Sequence, residues 1–169
     1  MEGTSSASLG LLIDADPTMR HLTAPLVRSH GLELVQARSG IAAFELLEQV
    51  PGRFRLALVS LDMPDLSGAV ILETLGLFRP DIATICLATA ERVALSNGSG
   101  RCLAKPVRAD ELGAQINEAL AGTLSKQPGT AILPEAVARA KATFARSGSL
   151  FEAAREVARG VTDGSGDAW

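Results

Sequence analysis

The stretch Arg53-Phe-Arg-Leu-Ala-Leu-Val-Ser-Leu-Asp-Met-Pro-Asp-Leu-Ser-Gly68 decides how the chain folds. Leu56 to Leu61 is almost wholly apolar, as a central parallel strand covered on both faces must be. Pro64 has no N–H to give to a ladder, so the strand predicted here ends near Ser60 and a loop begins near Asp62. In an open parallel sheet, chemistry gathers beyond the carboxyl ends of the strands. Ser60 and Asp62 are therefore the first residues to examine for function.

Outward from this stretch, apolar runs alternate with helical patterns. Leu9 to Ile13 is a short strand that ends at Asp14-Ala-Asp16-Pro17, with Asp16 suited to N-cap and Pro17 to the first helical position. The helix that follows carries Met19, Leu22, Leu26 and Val27 at helical spacing, is interrupted by Pro25 and stops near His30-Gly31. Leu32 to Ala37 is predicted to be a second strand. A helix opened by Ser39-Gly40 places Ile41, Phe44, Leu47 and Val50 on one side and closes at Pro51-Gly52. After the central loop, Ser67 to Phe78 is apolar around much of its circumference, and Pro80 ends it. Ile82 to Ala88 is a fourth strand. Ala90 to Leu95 leaves room only for a stunted helix before the turn-like Ser-Asn-Gly-Ser-Gly100. Arg101 to Ala104 forms a short fifth strand, Lys105-Pro106 a turn, and Asp110 to Ala121 a helix. Five strand–helix units predict a three-layer α/β domain over residues 1–122.

Residues 123–131 read as a linker, 132–162 as a helical hairpin and 163–169 as a flexible tail ending at Trp169. The first hairpin helix carries Leu133, Val137, Ala140 and Phe144 in a narrow stripe. The second begins at a capping box, Ser149 to Glu152, and aligns Leu150, Ala154, Val157 and Val161. The hairpin is expected to offer binding surface rather than to complete the core of the α/β domain, and its narrow stripes are expected to pack on the domain, on a second copy or on a partner.

The chain is 47% hydrophobic, with a net charge of −3 and a pI near 5.4. That balance gives no general footprint for nucleic acid or an anionic membrane. No segment approaches bilayer-spanning length, and Met1 to Ser8 lacks the pattern of a secretory signal, so a cytoplasmic protein is expected. Cys86 and Cys102 are too few for a zinc framework and read as packing residues inside strands.

Brought together at the strand ends, Asp14, Asp16, Ser60, Asp62, Thr89 and Lys105 form a constellation that resembles the receiver domain of bacterial response regulators. The matching pieces are Leu-Leu-Ile-Asp14-Ala-Asp16-Pro17, Asp62-Met63-Pro64 through Gly68, Thr89-Ala90-Glu91 and Lys105-Pro106, in the family's order. The resemblance implies a doubly wound, flavodoxin-like sheet of strand order 2-1-3-4-5. It also implies an aspartate nucleophile three residues before Met63 and an acidic pair holding Mg²⁺ after the first strand. Here those positions are Ser60 and Asp14-Ala15, so the nucleophile is a hydroxyl and one carboxylate is a methyl group. Asp16 matches a position that is often acidic but is not the principal metal ligand; Asp14 and Asp16 remain weak metal candidates. Thr89 and Lys105 match the switch hydroxyl and the phosphate-binding lysine, and Cys102 stands where the family usually has an aromatic switch residue.

Phosphoryl transfer depends on positioning and charge neutralisation, and Mg²⁺ is held chiefly by carboxylates. The expectation is a degenerate pseudo-receiver with no catalytic residue and no cofactor, Mg²⁺ binding being lost or very weak. It would act as a phosphorylation-independent interaction module, through the hairpin and the 90–105 surface, with a homodimer one form of association. Two alternatives stand beside it: phosphorylation by an atypical route at Asp62, and a transcription regulator with a truncated helix-turn-helix. Ser147 to Arg159 resembles the start of such a motif, but the short acidic segment after Gly160 supplies no recognition helix. DNA binding and enzymatic activity are therefore not expected.

Overall fold

The computed structural model describes residues 8–50, 52–95, 102–122 and 133–160. The expected turn at 96–100, the linker at 123–131 and the tail with Trp169 lie outside the described residues. Five strands, β1 (Leu9–Ile13), β2 (Glu33–Ala37), β3 (Phe54–Ser60), β4 (Ala83–Thr89) and β5 (Cys102–Lys105), form one parallel sheet of order β2-β1-β3-β4-β5. The helices that alternate with them are α1 (Pro17–Arg28), α2 (Gly40–Gln49), α3 (Gly68–Phe78), α4 (Ala90–Leu95) and α5 (Ala109–Leu120). Two more, α6 (Pro134–Ser147) and α7 (Leu150–Gly160), follow. This is the doubly wound architecture expected from the alternation of apolar runs and helical stripes. Among the described residues, no helix is long and apolar enough to cross a membrane.

The sheet separates two apolar clusters. On one side Leu12, Leu56, Leu58, Ile85 and Leu87 meet Val27 of α1 and Leu112 and Ile116 of α5. On the other, Leu11, Ile13, Ala57 and Val59 meet Phe44 and Leu47 of α2 and Val70, Ile71 and Leu75 of α3. Alternate residues of β1 and β3 thus serve opposite layers, and both strands need near-continuous apolar sequence. Not every residue of the sequence stripes is inside. Leu22, Ile41 and Leu133 are exposed, while Thr23, Ala43 and Ala136 take the buried positions. Small residues let the helices approach the layers beneath them.

The second cluster does not stop at α3. Ala140 of α6 and Leu150, Ala153, Ala154 and Val157 of α7 belong to it, and the Phe78 and Phe144 rings lie 4.8 Å apart. α7 packs on both α3 and α2, and Glu48 of α2 accepts a hydrogen bond from the Leu150 N–H at 2.7 Å. The expectation that the hairpin leaves the domain core alone is corrected here. α3 is apolar around most of its circumference because it is covered twice, by the sheet and by α7. At about 1.5–3 kcal/mol for each large aliphatic side chain fully buried, Leu150 and Val157 make this contact a substantial part of the fold. Gly148, at φ +65°, turns the chain between α6 and α7 in the left-handed conformation suited to glycine. The Leu133 N–H donates to the Gly160 carbonyl at 3.0 Å and closes the far end of the hairpin.

The cysteines also differ from expectation. Cys86 and Cys102 face each other across the β4–β5 ladder and are joined as a disulfide, with a Cα–Cα distance of 4.4 Å. A sequence separation of 16 says nothing about register, so the sequence alone points only to two separate packing residues. The parallel pairing of β4 with β5 puts them side by side.

Candidate functional site

β1 delivers Asp14 just past its end, and the residue is 1% exposed. Its Oδ1 accepts the Asp16 N–H at 3.0 Å, and its carbonyl accepts from Arg20 Nη1 at 2.7 Å. Asp16 in turn caps α1 by accepting the Thr18 N–H at 2.9 Å, with Pro17 in the first turn. The acidic loop is thereby wound back on itself and fixed to the helix it starts.

β3 delivers Ser60, which is fully buried. Its Oγ accepts from Lys105 Nζ at 2.6 Å and from the Asp62 N–H at 3.2 Å. Lys105, the last residue of β5, also places Nζ 2.9 Å from Asp14 Oδ2, an ion pair whose side chains are 12% and 2% exposed. One ammonium therefore bridges Ser60 and Asp14. Outside this bridge a hollow of about 510 Å³ is lined by Asp14, Ala15, Asp16, Met19, Asp62, Thr89, Lys105 and Pro106. Asp62 and Thr89 are at its exposed side. Asp62 stands beyond the end of β3, so it does not share the buried position of Ser60. Cys102 lies three residues before Lys105 and is committed to the disulfide.

The loop from Leu61 to Ser67 folds tightly over the end of β3. A Cβ on Gly68 would strike the Ser60 carbonyl oxygen and lie 2.6 Å from Leu61 Cα, so only glycine allows α3 to start there. On its outer side the loop is tied to α2, because Asp65 accepts the Gly40 and Ile41 N–H groups at 3.0 and 2.9 Å. Partial burial raises the Asp65 pKa, but hydrogen bonds from the Ile41 and Gly40 backbone outweigh it and hold the carboxyl below its ordinary value. Sequence reasoning missed Asp65, since Ser39 already supplied a cap signal for α2 and does accept the Ala42 N–H. Its partner lies 24 and 25 residues away, and only the fold reveals it.

Fold and strand-end pocket together define a class, the flavodoxin-like sheet with a receiver-type site. The response regulator receiver domain family matches residues 11–117, and the chain belongs to it. It is similar to the two-component response regulator-like protein APRR7 of Arabidopsis thaliana, with 30% identity over 60% of this chain and 15% of that one. It is also similar to the transcriptional regulatory protein ZraR of Klebsiella oxytoca, at 29% identity over 71% of this chain and 28% of the relative. The chain thus spans less than a third of the length of either. Among solved structures, a response regulator receiver domain protein from Clostridium thermocellum superposes with a TM-score of 0.58. It shares 26% identity, covering 68% of this chain and 95% of that one.

Proposed function

We propose that this receiver domain is a pseudo-receiver, a cytoplasmic signalling module that works through protein contacts and without phosphorylation. The observation that carries the reading is the Lys105 ammonium held 2.6 Å from Ser60 Oγ and 2.9 Å from Asp14 Oδ2. A serine hydroxyl that accepts a hydrogen bond from a cation is a poor nucleophile. The residues do not fit Mg²⁺ either. Asp14 Oδ1 accepts the Asp16 N–H, Oδ2 has no hydrogen-bond partner among the described residues but already lies against the Lys105 ammonium at 2.9 Å, and the Ala15 side chain has no donor atom. Mg²⁺ demands a near-octahedral oxygen set and gives up its waters reluctantly. Among the described residues no three His, Cys, Asp or Glu side chains are grouped to hold a metal ion.

In this reading the Lys105 bridge replaces the variable charge of a phosphorylated site with a constant one. The strand-end loops then hold one arrangement, which a protein partner reads. Incubation with acetyl phosphate and Mg²⁺, followed by intact-mass measurement, tests it. The wild-type chain is expected to gain no phosphate, whereas Ser60→Asp with Ala15→Asp is expected to regain weak, Mg²⁺-dependent labelling. The double variant should also show a Tm that rises with Mg²⁺, because added carboxylates repel until a cation binds. Phosphate on the wild-type chain, at Asp62 above all, would overturn the reading.

A further inference from the structure

We propose that Cys86 and Cys102 are a reversible thiol–disulfide modification site whose oxidation holds β5 in the register that places Lys105 between Asp14 and Ser60. β5 is only four residues long and, among the described residues, stands at the edge of the sheet with β4 as its one strand neighbour. The rungs of this ladder run Cys86 with Cys102, Leu87 with Leu103, Ala88 with Ala104 and Thr89 with Lys105. The disulfide therefore crosses the first rung and the candidate site occupies the last. A covalent bond at one end of so short a strand restricts the register available at the other. Without it, β5 is retained by ladder hydrogen bonds, by Leu103 in the core and by the Lys105 contacts themselves. Short edge strands belong to the low-stability parts of a fold.

The two sulfurs are placed for exchange in a definite order. Cys86 is 1% exposed, whereas Cys102 is partly open to solvent, and accessible disulfides are the ones that exchange with external thiols. In the oxidising direction the Cys102 thiolate attacks a low-molecular-weight disulfide such as glutathione disulfide, forming a mixed disulfide and releasing one glutathione thiolate. Cys86 then loses its proton to solvent and attacks the Cys102 sulfur, releasing the second glutathione. Two protein thiols are oxidised and one external disulfide is reduced to two thiols. Reduction follows the same path in reverse, with two glutathione molecules as the reductant.

The test uses the full chain equilibrated across a range of reduced to oxidised glutathione, quenched with acid and alkylated, so that intact mass counts free thiols. In parallel, samples from each end of the range are exposed briefly to an amine-acylating reagent, and labelling of Lys105 is read by peptide mapping against exposed Lys141. Dithiol and disulfide are expected to interconvert across the range. Lys105 is expected to label several-fold faster in the dithiol form, with Lys141 unchanged. A pair that no ratio oxidises, a disulfide that no ratio reduces, or equal Lys105 labelling in both forms would each overturn the proposal. Cys102→Ser is expected to label at the dithiol rate in every buffer, and continued response to the buffer would also overturn it. The wild-type comparison needs no variant, so it decides the matter even if Cys102→Ser fails to fold.

Discussion

At the scale of single residues, Lys105 and Asp65 do unlike work with their charges. Lys105 neutralises a buried carboxylate, so its removal strands the Asp14 charge at the buried base of the pocket. Breaking a buried pair from one side typically costs about 3–5 kcal/mol. Lys105→Met is expected to lose about 3 kcal/mol in urea unfolding, the lower end, because the ammonium is not wholly enclosed. Adding Asp14→Asn should restore much of that loss, and a double variant no more stable than the single one would contradict the pairing. Asp65 is more exposed, and its contribution is that of a helix cap, about 1 kcal/mol on Asp65→Ala. Its folded pKa lies below the ordinary value of 3.8, so the charge-linked part is fully present above the unfolded carboxyl pKa. That part is lost as pH falls through the lower folded value. The gap in unfolding midpoint between wild type and Asp65→Ala should therefore be full at pH 7 and narrow as the pH is taken down below the ordinary carboxyl value. A gap that widens in acid would show that the carboxylate is not the cap.

At the scale of elements, α3 and α7 explain each other. The all-round apolarity of α3 was visible in Val70, Ile71, Leu72, Leu75 and Phe78, but the identity of its second cover was not. Periodicity marks an apolar face without saying what meets it, and the stripe of α7 suited a partner as well as an internal surface. What settles the geometry is long-range: the Glu48 cap on Leu150 and the Phe78–Phe144 contact. Leu150→Ala is expected to cost about 3 kcal/mol, in the range for truncating a buried leucine. A chain ending at residue 122 should melt at lower temperature and bind a dye that reports exposed apolar surface. A truncated domain with wild-type Tm and no dye binding would mean that α7 contributes nothing to the core.

At the scale of the whole molecule, the sheet was legible because each strand carries its own local signature. Leu9–Ile13 and Leu56–Leu61 read as buried parallel strands from composition alone, and the motif order around Ser60, Thr89 and Lys105 set their ends side by side. Less legible were the features that need two distant stretches at once. The Cys86–Cys102 bond depends on parallel register, and the Asp65 cap on how the loop crosses to α2. The double cover of α3 has a further consequence, for the order in which the chain is made. α3 leaves the ribosome some 80 residues before α7 does, and at about 5–20 residues per second that interval lasts several seconds. During it β4, β5 and α5 follow, and the sheet can be completed beneath α3 while its outer side still has no lid. Nascent chains of this protein therefore present a sticky helix on an otherwise nearly finished domain, a natural client for a holdase until the last turns of α7 arrive.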